Sequence, residues 1–178
     1  MSTIEIGARG SLSPAVKRVW APHVHPRLLF VGALLCAATL GQLTTLAKFR
    51  AVWSTGAFFD TDDAMRAVQM RDLAAGQGWF DMTAYRLDPP EGVFMHWSRV
   101  VDVPLLLLSR GFGLFTDPVT AERLTRLAFP LLLTILFFAI VVFLCERLLG
   151  RAVRYPALAA AFLYGPATGQ FEPGRIDQ

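Results

Sequence analysis

The apolar run LAFPLLLTILFFAIVVFLC occupies residues 127–145 and contains no charged side chain. A helix rises about 1.5 Å per residue, so a run of this length nearly matches the ~30 Å hydrocarbon core of a bilayer. Pro130 falls in the first turn of such a helix, where its missing N–H costs little. The run therefore predicts a transmembrane helix.

The composition agrees with a membrane protein. The chain is 54% hydrophobic and 17% charged, which is more apolar than a soluble domain of its length. Its basic residues are scattered and form no nucleic-acid-binding motif, so we expect no nucleic-acid partner. Cys36 and Cys145 both lie in apolar runs, which argues against a disulfide framework or a cysteine metal site.

Two further segments predict membrane spans. Residues 28–47 are apolar and are bounded by Arg27 and Lys48. A signal peptide is the alternative there, but no small-x-small cleavage site precedes Lys48, and an uncleaved anchor is favoured. Residues 156–170 are shorter and rich in small side chains, which suits close helix packing in a bundle.

The segment at 100–115 is apolar but is interrupted by Asp102 and Arg110. If it crossed the membrane, the arginine-rich turn after residue 145 would lie outside the cell, against the positive-inside rule. We therefore interpret 100–115 as a helix that lies flat on the outer membrane face with one side buried.

These segments predict an all-α integral membrane protein with three transmembrane helices and a long, helix-containing first outer loop. The predicted location is a bacterial inner (plasma) membrane with the N-terminus in the cytoplasm. In chain order, the predicted parts are a cytoplasmic tail (1–27), a first span (28–47), an outer loop (48–126), a second span (127–145), a basic cytoplasmic turn (146–155), a third span (156–170) and the start of a second outer loop (171–178).

The first outer loop contains the acidic stretch FFDTDDAMRAVQMRD, residues 58–72. Asp60 or Thr61 can cap a helix here, and acids in its first turn suit the helix dipole. The simplest interpretation is therefore the start of a solvated helix. A cap does not need three carboxylates, however, and clustered anionic oxygens are preferred ligands of Mg²⁺ and Mn²⁺. Asp177 adds an acid on the same predicted side of the membrane, so two loops together could bind one divalent ion.

A second polar stretch, RLDPPEGVFMHWSRVVD, precedes the predicted surface helix. Trp97 is most simply an anchor at the membrane interface. His96 alone is a weak metal-ligand candidate. Together with Arg99, it could contact the phosphates of a lipid-linked donor, because guanidinium groups pair well with phosphate oxygens.

The order of these motifs resembles the integral-membrane GT-C glycosyltransferases, and most closely the catalytic subunit of oligosaccharyltransferases. A helix-opening acid is followed by RDLAAG (71–76) and later by GRID (174–177). Counting back from Asp72 by the family's spacing lands on Asp62, which matches the family's metal-linked catalytic aspartate. Asp60 and Asp63 are then auxiliary, and Asp177 matches the second metal-binding acid.

The resemblance implies transfer of a sugar or glycan from a polyprenyl-phosphate-linked donor to a glycan, lipid or protein acceptor at the outer membrane face. It also implies assistance by a divalent metal, Mg²⁺ or Mn²⁺. Single-sugar and oligosaccharide transfer both remain open. Family members have many more spans, so the resemblance implies a fragment, the N-terminal portion of a transferase, that we expect to be inactive alone.

Two alternatives stay open. One is a non-catalytic small membrane protein whose outer loop binds an ion or a partner. The other is a transporter fragment, which is disfavoured because no charged residue lies deep in a clear span.

Overall fold

The computed structural model describes residues 26–43, 45–164 and 171–176. This part of the chain is mostly helical, with 70% of its residues in helices, which is compatible with the all-α prediction. The helices are α1 (Pro26–Leu43), α2 (Leu46–Thr55), α3 (Thr61–Ala74), α4 (Arg99–Phe112), α5 (Pro118–Leu149) and α6 (Arg154–Leu163). A two-residue antiparallel hairpin, β1 (Thr83–Ala84) with β2 (Val93–Phe94), joins α3 to α4.

Helix α5 contains the predicted second span and is 32 residues long. Among the described residues, it is the one helix that is long and apolar enough to cross a membrane by itself. It begins at Pro118, where Asp117 accepts hydrogen bonds from the N–H groups of Val119 and Thr120. The prediction that Pro130 lies in the first turn is therefore wrong. The cap at Asp117 starts the helix earlier and leaves Pro130 inside it.

The first predicted span falls across two helices. Helices α1 and α2 meet at an angle of 73°. Neither of them is long and apolar enough to cross a membrane by itself, but the two together are. Helix α6 covers the start of the third predicted span, and residues 165–170 of that span lie outside the described residues. A helix is confirmed for most of 100–115, since α4 runs from Arg99 to Phe112.

Helix α5 packs on two groups of partners. Its C-terminal half buries Phe138 and Val142 against α1 and α6. Its N-terminal half buries Phe129 against α3 and α4, in a cluster that also contains Leu105 and Ile176. The second cluster therefore brings residues 171–176 beside α3 and α4, which is where the candidate site lies.

Helix α4 buries two charged side chains, Arg99 and Asp102, beside the apolar Leu105. Its exposed positions include both the apolar Leu107 and the charged Arg110. Helices α4 and α5 also line an apolar groove of about 1110 Å³. Burial of two charged side chains is unusual for a helix on a water-soluble domain, whose charged face lies outward.

Candidate functional site

The three clustered acids at the start of α3 have three different environments. Asp60 is the N-cap, and its Oδ1 accepts the backbone N–H groups of Asp62 and Asp63, both at 3.0 Å. Asp62 is exposed on the first turn, whereas Asp63 is fully buried. Thr61, the other predicted cap, is the first residue of the helix. Of the three, Asp62 is the most exposed, Asp60 is half-buried and Asp63 is enclosed by the fold.

The buried acid, Asp63, contacts the C-terminal described segment, residues 171–176. Its Oδ1 accepts a hydrogen bond of 2.5 Å from the backbone N–H of Ile176. Ile176 is itself buried and packs beside Ala67 and Leu105. The next residue in sequence is Asp177, the predicted second metal ligand, which lies outside the described residues. The structure thus brings the residue before Asp177 to the first turn of α3.

Arg126 on α5 contacts two separate segments of the chain, residues 56–58 and residues 171–176. Its guanidinium donates to the carbonyl oxygens of Gly56 and Ala57, both at 3.0 Å, and lies 4.2 Å from the ring centroid of Phe58. Its own carbonyl accepts the N–H of Gly174 at 3.0 Å. Only 2% of Arg126 is exposed. One buried residue therefore contacts the segment that leads to Asp60 and the segment that leads to Asp177.

Cationic side chains surround the same junction. Lys48 forms an ion pair with Glu172, and its Nζ lies 4.2 Å from the ring centroid of Phe59. The guanidinium carbon of Arg175 lies 4.9 Å from the same ring. A ring between two cations is attracted to both, since the face of an aromatic ring carries negative charge. These contacts add further links between α2, the acidic loop and residues 171–176.

Arg99 and His96, predicted to contact donor phosphate, point to different environments. Arg99 is buried, and its guanidinium donates to the carbonyl oxygens of Gln69 and Asp81 and to Oε1 of Gln77. His96 is exposed, with its ring centroid 6.0 Å from that of Trp97. The structure does not bring the two together in an open site, and Arg99 links α4 to α3 and to the loop between α3 and β1.

A buried ion pair between α3 and α4 was not anticipated from the sequence. Nη1 of Arg66 lies 3.0 Å from Oδ1 of Asp102, and the Arg99 guanidinium lies 3.4 Å from the other carboxylate oxygen. Burial raises the pKa of Asp102, and the hydrogen bond from Arg66 acts in the opposite direction. The i,i+3 spacing of Arg99 and Asp102 was a local signal. No local signal pointed to Arg66.

The RD pair used for the family resemblance forms contacts within the fold. Arg71 makes a two-pronged ion pair with Glu122 of α5, at 2.6 and 2.7 Å. Asp72 accepts a hydrogen bond from Arg86 near the hairpin, at 3.1 Å. The pair anchors the C-terminal part of α3 to two neighbouring elements. It lies about two helical turns beyond the acids that open α3.

The acids satisfy only part of a metal site. Carboxylate oxygens are suitable ligands for Mg²⁺ and Mn²⁺, and Asp62 presents such a group at the surface. Within 26–43, 45–164 and 171–176, no three His, Cys, Asp or Glu side chains come together as a metal-binding group. Asp177, the second predicted ligand, lies outside those ranges.

No family model, curated protein or solved structure matches this chain.

Proposed function

We propose that this chain belongs to a membrane glycosyltransferase of the GT-C type. It would transfer a sugar or glycan from a polyprenyl-phosphate-linked donor to a glycan, lipid or protein acceptor at the outer membrane face. The observation that carries the proposal is the 2.5 Å hydrogen bond between Asp63 and the Ile176 N–H. It joins the segment that contains Asp62 to the segment that leads to Asp177.

Several features support a membrane location with the site on the outer face. Helix α5 is long and apolar enough to cross a bilayer. Helix α4 exposes Val100, Val103 and Leu107, which suits a helix lying in a membrane interface. The turn after α5 carries Arg151 and Arg154 and suits the cytoplasmic side. The opposite end of α5, beside the acids, then faces outward at a bacterial inner membrane.

Asp62 is the proposed catalytic acid because its carboxylate is exposed while its backbone is held in place. The Asp60 carboxylate fixes the Asp62 N–H at 3.0 Å, so the first turn of α3 presents Asp62 in a defined position. In this proposal Asp62 and Asp177 hold the divalent ion, and Asp62 orients the acceptor nucleophile. A bound Mg²⁺ or Mn²⁺ would supply charge stabilisation at the donor phosphate.

The alternative of a non-catalytic, partner-binding loop has one observation in its favour. Phe80, just before the hairpin, is 91% exposed, and Phe94, in β2, is 71% exposed. Exposed aromatic side chains are common at interaction surfaces and at membrane interfaces. This alternative predicts that a partner is lost from the Phe80→Ser, Phe94→Ser double variant and that no sugar transfer occurs.

The proposal is tested with protein expressed from its complete reading frame in membrane vesicles. A polyprenyl-phosphate-linked sugar is the donor, and transfer is measured with Mg²⁺, with Mn²⁺ and with a chelator. We expect metal-dependent transfer that Asp62→Asn and Asp177→Asn each abolish without lowering the amount of protein in the membrane. Asp117→Asn is the matched control and keeps activity, since asparagine also caps helices. Full activity of Asp62→Asn would contradict the assignment.

A further inference from the structure

The geometry points to Asp63 as a positioning residue. Its carboxylate fixes residues 172–176, which directly precede Asp177 in sequence, against the first turn of α3. The role of the fixed segment in catalysis rests on the proposed function. The contact itself does not, because it involves only residues that the structure describes.

Asp63 is buried and therefore needs a hydrogen-bond partner within the protein. Its exposed fraction is 0%, whereas the adjacent Asp62 is exposed. A buried carboxylate is unfavourable unless hydrogen bonds replace its hydration. Here the Ile176 N–H provides one at 2.5 Å, across a sequence separation of 113 residues.

Gly174 attaches the same segment to α5. Its N–H donates to the Arg126 carbonyl at 3.0 Å. Its φ of +92° is unfavourable for other residues, and an added Cβ would lie 2.6 Å from Cγ2 of Val52. The segment therefore passes close to α2 only because residue 174 is glycine. The segment is thus attached at two points, Gly174 and Ile176, which are two residues apart.

Asparagine at position 63 distinguishes a positioning role from a role in metal binding, because it keeps an oxygen acceptor but loses the charge. The Asp63 oxygen at 2.5 Å acts as a hydrogen-bond acceptor for a backbone N–H, and an asparagine side chain also offers an oxygen acceptor. Asp63→Asn should therefore keep the segment in place, whereas Asp63→Ala should release it. A residue needed for its charge in metal binding would lose function equally in both variants.

Hydrogen exchange measured by mass spectrometry tests this inference without any assay of activity. In Asp63→Ala, we expect the amides of residues 174–176 to exchange at least about tenfold faster than in the unmodified protein. In Asp63→Asn, they should stay within about threefold of it. Exchange in the α5 core, around Phe138, should be unchanged in both, and this separates local release from general destabilisation.

Two results would overturn the inference: unchanged exchange at residues 174–176 in Asp63→Ala, or equal release in Asp63→Ala and Asp63→Asn. If Asp63→Ala does not fold, Gly174→Ala gives the test from the opposite side of the segment. It should also speed exchange at residues 174–176, and unchanged exchange there would contradict the two-point attachment.

The transfer assay distinguishes this inference from the proposed function. If both hold, Asp63→Ala loses most of its metal-dependent transfer and Asp63→Asn recovers it, while Asp62→Asn stays inactive with normal exchange at residues 174–176. If no protein transfers sugar but the exchange pattern is as expected, Asp63 still fixes the segment and only the transferase proposal fails.

Discussion

The guanidinium of Arg66 donates a 3.0 Å hydrogen bond to the carboxylate of Asp102, and both side chains are almost fully buried. The two residues lie on α3 and α4, 36 positions apart in sequence. The exposed side of α4 carries Val103 and Leu107 instead. Buried charges thus join α3 to α4, while α4 exposes apolar side chains of the kind found on helices at a membrane interface.

Loss of Asp102 should strongly destabilise the protein. Asp102→Ala leaves the guanidinium groups of Arg66 and Arg99 buried without their carboxylate, and breaking a buried pair in this way costs about 3–5 kcal/mol. Thermal unfolding in detergent measures the effect. Asp72→Ala is the matched control, since its partner Arg86 is largely exposed and such pairs contribute about 0–1 kcal/mol. Equal stability of the two variants would contradict a structural role for the buried pair.

The cap of α5 should make stability depend on pH in the acid range. Hydrogen bonds from the side chain and backbone N–H of Thr120 hold the pKa of Asp117 below its ordinary value. Because the folded-state pKa is the lower one, the stabilisation is fully present above the unfolded-state pKa of about 3.9. It is lost as pH falls through the folded-state pKa.

The measurement for this prediction is the unfolding midpoint from about pH 6 to about pH 3 in the unmodified protein and in Asp117→Asn. Asparagine keeps the cap but does not titrate, so the unmodified protein should lose more stability than the variant as pH falls. Parallel curves for the two proteins would show that Asp117 contributes no pH dependence.

The hairpin should not tolerate a side chain at Gly92. Its φ is +76°, and an added Cβ would lie 2.6 Å from Cγ2 of Thr83 and 3.1 Å from the Tyr85 Cα. We expect Gly92→Ala to destabilise the hairpin by about 1–3 kcal/mol, seen as faster hydrogen exchange at residues 93–95. Gly111→Ala is the control, since nothing lies within 4 Å of its added Cβ. A Gly92→Ala protein with normal exchange would contradict the prediction.

The proposed orientation predicts that α3 and the turn after α5 lie on opposite sides of the membrane. Single cysteines at Ala75 and Arg151, in a protein without Cys36 and Cys145, should react with an impermeant reagent from opposite sides. Ala75 is preferable to Gly76 as the outer position because Gly76 has a φ of +104° that other residues rarely adopt. Labelling of both positions from the same side would contradict the topology.

Features with a local cause were predictable from the sequence. A cap at Asp60 or Thr61 was expected, and the Asp60 carboxylate forms it with the N–H groups that follow directly. Helix α3 ends at a comparable local signal, since Ala75 and Gly76 follow its last turn with Gly76 at positive φ. These signals depend on neighbours within one helical turn, so an interpretation of the sequence alone can find them.

The bend between α1 and α2 and the inward direction of Arg99 were not predictable in this way. The predicted span at 28–47 and the predicted phosphate-binding role of Arg99 were each inferred from one stretch of sequence. Contacts with other parts of the chain entered neither prediction. The Arg99 guanidinium instead finds acceptors on α3 and in the loop before β1, at positions such as Gln69 and Asp81. Such partners become neighbours only when α3, α4 and the hairpin pack together.

The sequence by itself determined that the chain is predominantly helical and that residues 127–145 are apolar enough to span a membrane, because hydrophobic length and capping are local properties. Only the tertiary structure decided the environments of the two acids that follow the Asp60 cap. Asp62 is exposed, whereas Asp63 turns inward and accepts a hydrogen bond from the Ile176 N–H. That choice depends on a contact across 113 residues, which no local pattern encodes.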